Sequence, residues 1–181
     1  MPAKFITPPL GVWGYTATPA RAGEIGADNV GEQLLLQCWN NDDTSLTLHQ
    51  GDVVVIDRSA TNMPTAPAGA GGAIKTIPNS KDPSVLGPIS TGDSFTNTQV
   101  SYPLNSVCFV AVGGVARVQV GNALPFVFAD MVNTSTTRGM AGRLAAGGAA
   151  LTDIGTVFGI TLEPLGNRDS LNTIRTMIAR A

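Results

Sequence analysis

The chain has 181 residues, enough for one substantial core or for one core plus a long arm. Its hydrophobic fraction of 43% is ordinary, but charged residues make up only 13%, against about 25% in an average soluble protein. A net charge of −2 with no cluster of Lys and Arg argues against nucleic-acid binding, which needs such a cluster to release counterions from phosphate. A surface so poor in charge suggests contact with other protein instead.

Charge is split along the chain. Residues 1–110 carry nine acids and five bases, a balance of −4, and residues 111–181 carry four acids and six bases, a balance of +2. Sampling on a low-charge chain gives such a split, and so do complementary surfaces that meet between subunits.

Residues 1–31 hold four prolines, five glycines and the isolated aromatics Phe5, Trp13 and Tyr15, with no sustained periodicity. They read as an extended arm whose apolar side chains want a cover, and Phe5, Trp13, Tyr15 and Arg21 are the candidate partner-binding residues. The alternative is that the arm packs back on its own domain. The start of the chain lacks the basic opening and continuous apolar stretch of a signal peptide, and no run of about 18 apolar residues occurs. Synthesis in the cytoplasm, a soluble chain and no membrane partner are expected.

From Glu32 the character changes, and residues 32–181 read as the β-rich domain, either whole or as two related β units at about 32–100 and 107–181. EQLLLQCWN ends in the turn formers Asn40, Asn41, Asp42 and Asp43, and SLTLHQ follows with Leu46 and Leu48 in alternation. Gly51 and Asp52 mark a tight turn before Val53, Val54, Val55 and Ile56, whose branched side chains suit a buried strand. Residues 59–84, with AGAGGA at the centre, read as a long surface loop. SVLGPI is a short strand, a second loop covers Ser90 to Thr98, and VCFVAVGGVARVQV reads as strands divided by a turn at Gly113 and Gly114. ALPFVFADMVNTSTTRGMAGRL reads as strand, turn and strand, IGTVFGITLEPL as a strand pair or a bent strand, and SLNTIRTMIARA as a closing strand with a competing helical stripe. Many short strands punctuated by Gly and Pro predict an all-β fold, a small barrel or sandwich with an extended N-terminal arm.

A faint internal echo accompanies this pattern. GDVVVIDRS at 51–59 resembles ADMVNTSTT at 129–137, and each is followed by a strand around a glycine, SVLGPI at 84–89 and TVFGIT at 156–161. Two copies are too few for a solenoid, but they hint at a duplicated β unit.

The chemistry-bearing residues are sparse. His49 is the single histidine, placed at a strand end beside a turn, so nucleophilic catalysis lacks a supply of bases. GDVVVID is similar to a strand of the self-cleaving repressor and signal-peptidase families, but Lys4, Lys75 and Lys81 fall in arm or loop and no matching serine motif precedes it. GAGGAIKT approaches a phosphate-binding loop and fails at Ile74, where that motif needs glycine. Asp42, Asp43, His49 and Asp52 are close in sequence, yet they lack the alternation of a calcium loop, and a zinc site wants more Cys or His. Cys38 and Cys108 each sit in an apolar run and read as buried free thiols, with a disulfide as the alternative. Accordingly no catalytic residue, cofactor or metal ligand is assigned, and the chain is expected not to be an enzyme.

Residues 110–165, VAVGGVARVQVGNALPFVFADMVNTSTTRGMAGRLAAGGAALTDIGTVFGITLEPL, resemble a β-module of phage head-decoration and fibre-associated proteins. GDVVVID followed by SVLGPI is similar to the earlier half of small phage decoration proteins, while Ala129 departs from the pattern by replacing the usual glycine before Asp130. The resemblance implies a capsid decoration (cement) protein of a tailed bacteriophage, on the outside of the virion. Its partners would be the major capsid protein and its own copies in a homotrimer, and its role would be to bridge neighbouring capsid subunits. A tail, fibre or baseplate component is the alternative within the structural class, and a hydrolase or autoprotease the alternative outside it.

Overall fold

The computed structural model describes residues 25–27, 33–42, 47–57, 73–76, 84–90, 101–120, 126–135, 137–144, 156–164 and 173–179. Phe5, Trp13, Tyr15 and Arg21 lie outside them. The described residues form an all-β fold with no helix. Its strands are β1 (Ile25–Ala27), β2 (Gln33–Asn40), β3 (Leu48–His49), β4 (Val53–Ile56), β5 (Ala73–Thr76) and β6 (Val85–Ser90), then β7 (Ser101–Tyr102), β8 (Val107–Gln119), β9 (Met131–Thr134), β10 (Ala141–Arg143), β11 (Gly159–Thr161) and β12 (Thr173–Ile178). Ten of them make one sheet in the order β1-β2-β5-β4-β6-β8-β12-β11-β9-β10, and β3 pairs with β7 apart from it.

The sheet curls into two similar rings. In the first, β2 runs parallel to β5, the sequence β5-β4-β6-β8 is antiparallel, and β2 pairs antiparallel with the first part of β8 to close the circuit. In the second, β8-β12-β11-β9-β10 is antiparallel, and a parallel bridge from Val120 to Ala141 closes it. Strand for strand, β2, β4, β5, β6 and the start of β8 correspond to the end of β8, β9, β10, β11 and β12. β8 is shared: its first half is the last strand of ring one and its second half is the first strand of ring two.

Register confirms the match at single residues. Cys38 opposite Cys108 in ring one corresponds to Val118 opposite Ile174 in ring two, and Val54 opposite Thr76 corresponds to Val132 opposite Arg143. The turn before β4 is held by Gly51 N–H to Ile89 O and Ile89 N–H to Asp52 O, both 2.9 Å. The turn before β9 is held by Ala129 N–H to Thr161 O and Thr161 N–H to Asp130 O, again both 2.9 Å. Gly51 and Ala129 both have positive φ, 88° and 66°. Asp52 accepts the His49 N–H at 2.8 Å and Asp130 accepts the Val127 N–H at 2.7 Å, so each carboxylate caps its turn from three residues on. The sequence echo therefore falls on strands with the same pairings.

The fillings of the rings also correspond. Cys38, Leu48, Val54, Ile74, Leu86, Ile89, Cys108 and Val110 form one cluster. The other contains Val118, Phe126, Val132, Ala141, Phe158 and Ile174 of ring two together with Leu35, Val53, Val55, Val85 and Ala111 of ring one. Ring one thus buries part of its outer wall in the same apolar cluster that fills ring two.

Two expectations change. Gly113 and Gly114 do not divide two strands: β8 runs through them, Gly114 taking φ 82° while the register against β2 slips by one residue between Leu34 and Leu35. Glycine here absorbs a bulge in a continuous strand, because partners hold β8 on either side of it. Second, the loop expected over residues 59–84 contains β5, whose short AIKT segment is recruited by β4 and β2 despite weak local propensity. ALPFVFADMVNTSTTRGMAGRL, read as strand, turn and strand, contains β9 and β10 with a turn between them, and residues 126–130 form the capped turn before β9.

Cys38 and Cys108 are buried free thiols, as expected, although they are direct partners across β2 and β8. Burial pushes the Cys38 thiol up to about 12 and the Cys108 thiol well above its ordinary value, with Cys38 adding to the latter.

Candidate functional site

A cleft of about 260 Å³ opens between the rings, lined by Thr47, Leu48, His49, Asp52 and Thr76 of ring one and by Gln119, Arg138, Gly139 and Met140 of ring two. Backbone bonds fix its walls. Gly139 O accepts from Val53 N at 2.8 Å, and Gly51 O accepts from Gln119 N at 2.8 Å. Gly139 has φ 71°, and a Cβ there would lie 3.2 Å from Asp52 Oδ1, so glycine lets the β9–β10 turn close over the carboxylate.

One wall is an ionic knot. Asp42 is fully buried, and its Oδ2 accepts from Thr76 N at 2.8 Å and Thr76 Oγ1 at 2.5 Å. Arg138 Nη2 lies 2.6 Å from Asp42 Oδ1, and Arg138 Nε donates to Thr76 Oγ1. The guanidinium reaches across from the β9–β10 turn, so this part-buried pair fastens ring two to the end of β2.

Asp52 is differently placed. Its carboxylate is 17% exposed, and its ion partner among the described residues is His49 Nδ1, at 3.8 Å from Oδ2. Burial raises its pKa to about 7, the His49 N–H opposes the shift, and the charge of Asp42 adds to it. At the corresponding turn of ring two, Asp130 Oδ2 has Arg143 Nε at 2.8 Å. The register equivalent of Arg143 in ring one is Thr76, a neutral residue whose hydroxyl bonds Asp42.

This arrangement holds charge and is poorly suited to nucleophilic chemistry. The Thr76 hydroxyl is already committed to Asp42 and Arg138, and the His49–Asp52 separation exceeds a hydrogen bond. Among the described residues no group of three or more His, Cys, Asp or Glu could hold a metal ion.

The second feature is a face. Met131 pairs with Ile160, Ile160 with Met177 and Met177 with Val115, so these side chains form one row across β9, β11, β12 and β8. Met131 is 52% exposed, Ile160 39% and Met177 45%, and Val127 and Phe128 are exposed on the turn leading into β9. Beside the row, Arg117 faces Arg175 across the strand pair, with Glu163 3.7 Å from Arg117 and accepting from Arg175 N. The corresponding residues of ring one are Val53, Pro88, Ala111 and Leu35, and all four are buried.

Of the residues singled out in the sequence, His49, Asp52 and Asp42 come together around the cleft, while Phe5, Trp13, Tyr15 and Arg21 lie outside the described residues. Sequence reading missed Arg138 and the Met131–Ile160–Met177 row, and it met Thr76 only as the end of the rejected phosphate-loop stretch GAGGAIKT. No protein-family model matches the chain, and a comparison with curated proteins finds no match.

Proposed function

We propose that this protein is a structural component of a virion, a decoration protein on the outside of a tailed-phage capsid, which assembles as a homotrimer and bridges neighbouring major capsid proteins. It works by binding and not by catalysis. The observation that carries the reading is the exposed row of Met131, Ile160 and Met177. Its counterpart in ring one is covered, so the duplicated unit is built to bury this face, and ring two presents it with nothing from the described residues above it. An apolar centre edged by Arg117, Arg175 and Glu163 has the composition of a protein interface. The sparse charge of the chain and the resemblance of residues 110–165 to phage decoration modules support the capsid as the partner.

A protein that binds assembled shell and not free subunits stabilises the shell by mass action, and repeated clamps reinforce one another. The test is co-sedimentation with shells assembled from the major capsid protein of the same genome. Wild type is expected to pellet with shells and raise their dissociation temperature, whereas Met177→Lys remains folded and stays in the supernatant. Equal pelleting of the two proteins, or no pelleting of either, contradicts the proposal.

A further inference from the structure

Asp52 and Asp130 occupy matching turns with matching backbone bonds, yet Asp130 has a guanidinium beside the oxygen that caps its turn and Asp52 faces a cleft. In ring two the guanidinium comes from Arg143, on the strand position that Thr76 holds in ring one. Thr76 and Asp52 line the same 260 Å³ space, so the cleft borders both the carboxylate and the strand position equivalent to the one from which Arg143 reaches Asp130. Charge points the same way: the cleft is lined by one carboxylate, Asp52, and one guanidinium, Arg138, which is spent on the buried Asp42 behind it.

We infer that the cleft over Asp52 is a binding site for a guanidinium group, carried by an arginine side chain of another molecule and seated where the duplicate seats Arg143. The guest donates to Asp52 from the side of Thr76, while Gly139 and Met140 form the lip and Gln119 supplies a further polar contact surface. A planar fork suits a desolvated carboxylate better than a compact ammonium does. The groups facing Asp52 are His49 on its own turn, Asp42 at the end of β2, Arg138 on the β9–β10 turn and the neutral Thr76 and Gln119. The guest selects ionised Asp52, so affinity falls as pH drops below about 7. This inference stands apart from the capsid reading, since it needs only the duplicated turn and the cleft.

The experiment is a two-dimensional NMR titration of the full chain with N-methylguanidinium, capped Gly-Arg-Gly, capped Gly-Lys-Gly, neutral N-methylurea and sulfate. Both guanidinium probes are expected to shift His49, Asp52 and Gly139 resonances and to lower the pH at which the Asp52 carboxyl titrates. Tighter binding of the peptide than of the small cation identifies a protein-borne arginine as the guest. Asp52→Asn, which keeps the shape and the acceptor for the His49 N–H, is expected to weaken binding at least about tenfold, the size of one charge-assisted contact. Thr76→Arg is a second variant, expected to fill the site from within and to abolish binding. Unchanged affinity in Asp52→Asn, equal response to N-methylurea, or a response to sulfate alone overturns the site. So does silence of both guanidinium probes up to about 50 mM, well above the millimolar range of a small single contact.

Discussion

Ala129 is the residue at which the two copies of the turn differ most simply. It holds φ 66°, in the left-handed region where Gly51 sits at 88° in the other copy, and a Cβ makes that conformation costly. Ala129→Gly is therefore expected to stabilise the protein by about 0.5–1 kcal/mol, read as a higher midpoint in urea unfolding. Gly51→Ala works in reverse and adds crowding, since its Cβ would stand 3.1 Å from Thr173 Cγ2 and 3.2 Å from Gln119 N. A loss of about 1–2 kcal/mol is expected. Asp52 makes a pH prediction. Its carboxyl is raised in the folded protein from 3.8 to about 7, so the native state holds a proton that the unfolded chain releases. Stability is then fully present below about pH 4 and falls as pH rises to about 7, by up to about 4 kcal/mol. Asp52→Asn should flatten this part of the stability profile and be the more stable protein at pH 8. A profile as steep as wild type would remove Asp52 as its cause.

Strand pairing rests on two glycines that occupy the same place in their units. A Cβ at Gly87 of β6 would come within 2.0 Å of Ala111 O, and one at Gly159 of β11 within 2.7 Å of Met177 O. Both strands press against the backbone of the last strand of their ring, so both alanine variants should lose stability. Gly87→Ala is expected to lose more, about 3 kcal/mol or above, and Gly159→Ala about 1–3 kcal/mol, with urea midpoints as the measure. These glycines were visible in the sequence as the centres of SVLGPI and TVFGIT, and the strands around the GD and AD turns were legible because β-branched runs and turn formers agree locally. β5 was not legible, since AIKT is held by register with β2 and β4 and lacks a pattern of its own. The continuity of β8 was hidden for a related reason: a Gly-Gly pair signals a turn, and only flanking strands reveal that it bends a strand instead. Of the cleft, His49 and its neighbouring aspartates were noticed as a cluster, but Arg138 arrives from 96 positions beyond Asp42, a proximity that no local pattern encodes. The buried thiols give an element-scale check: in the joint between β2 and β8, Cys38 and Cys108 should resist a disulfide reagent at pH 8 until denaturant opens the sheet. Prompt reaction in the folded protein would contradict the closed first ring.

At the scale of the whole molecule, the duplication leaves an asymmetry. Ring one buries its Val53, Pro88, Ala111 and Leu35 face within the chain, while ring two leaves Met131, Ile160 and Met177 uncovered. β8 is bordered by β2, β6 and β12, so its edges are taken up within the described sheet and do not serve self-association. On the decoration reading, the surface for self-association is the outer row of ring two. A head-to-tail contact through it closes into a ring of copies when the rotation permits, and the decoration reading selects three. Sedimentation of the purified chain is expected to show self-association that Met177→Lys diminishes. The most direct test of the account is a cryo-electron-microscopy map of the virion that carries this chain. The account predicts the two-ring fold on the outer capsid surface in groups of three, with Met131, Ile160 and Met177 covered by a neighbouring protein. Density for the fold elsewhere in the particle, or on the capsid with that row facing solvent, would contradict it.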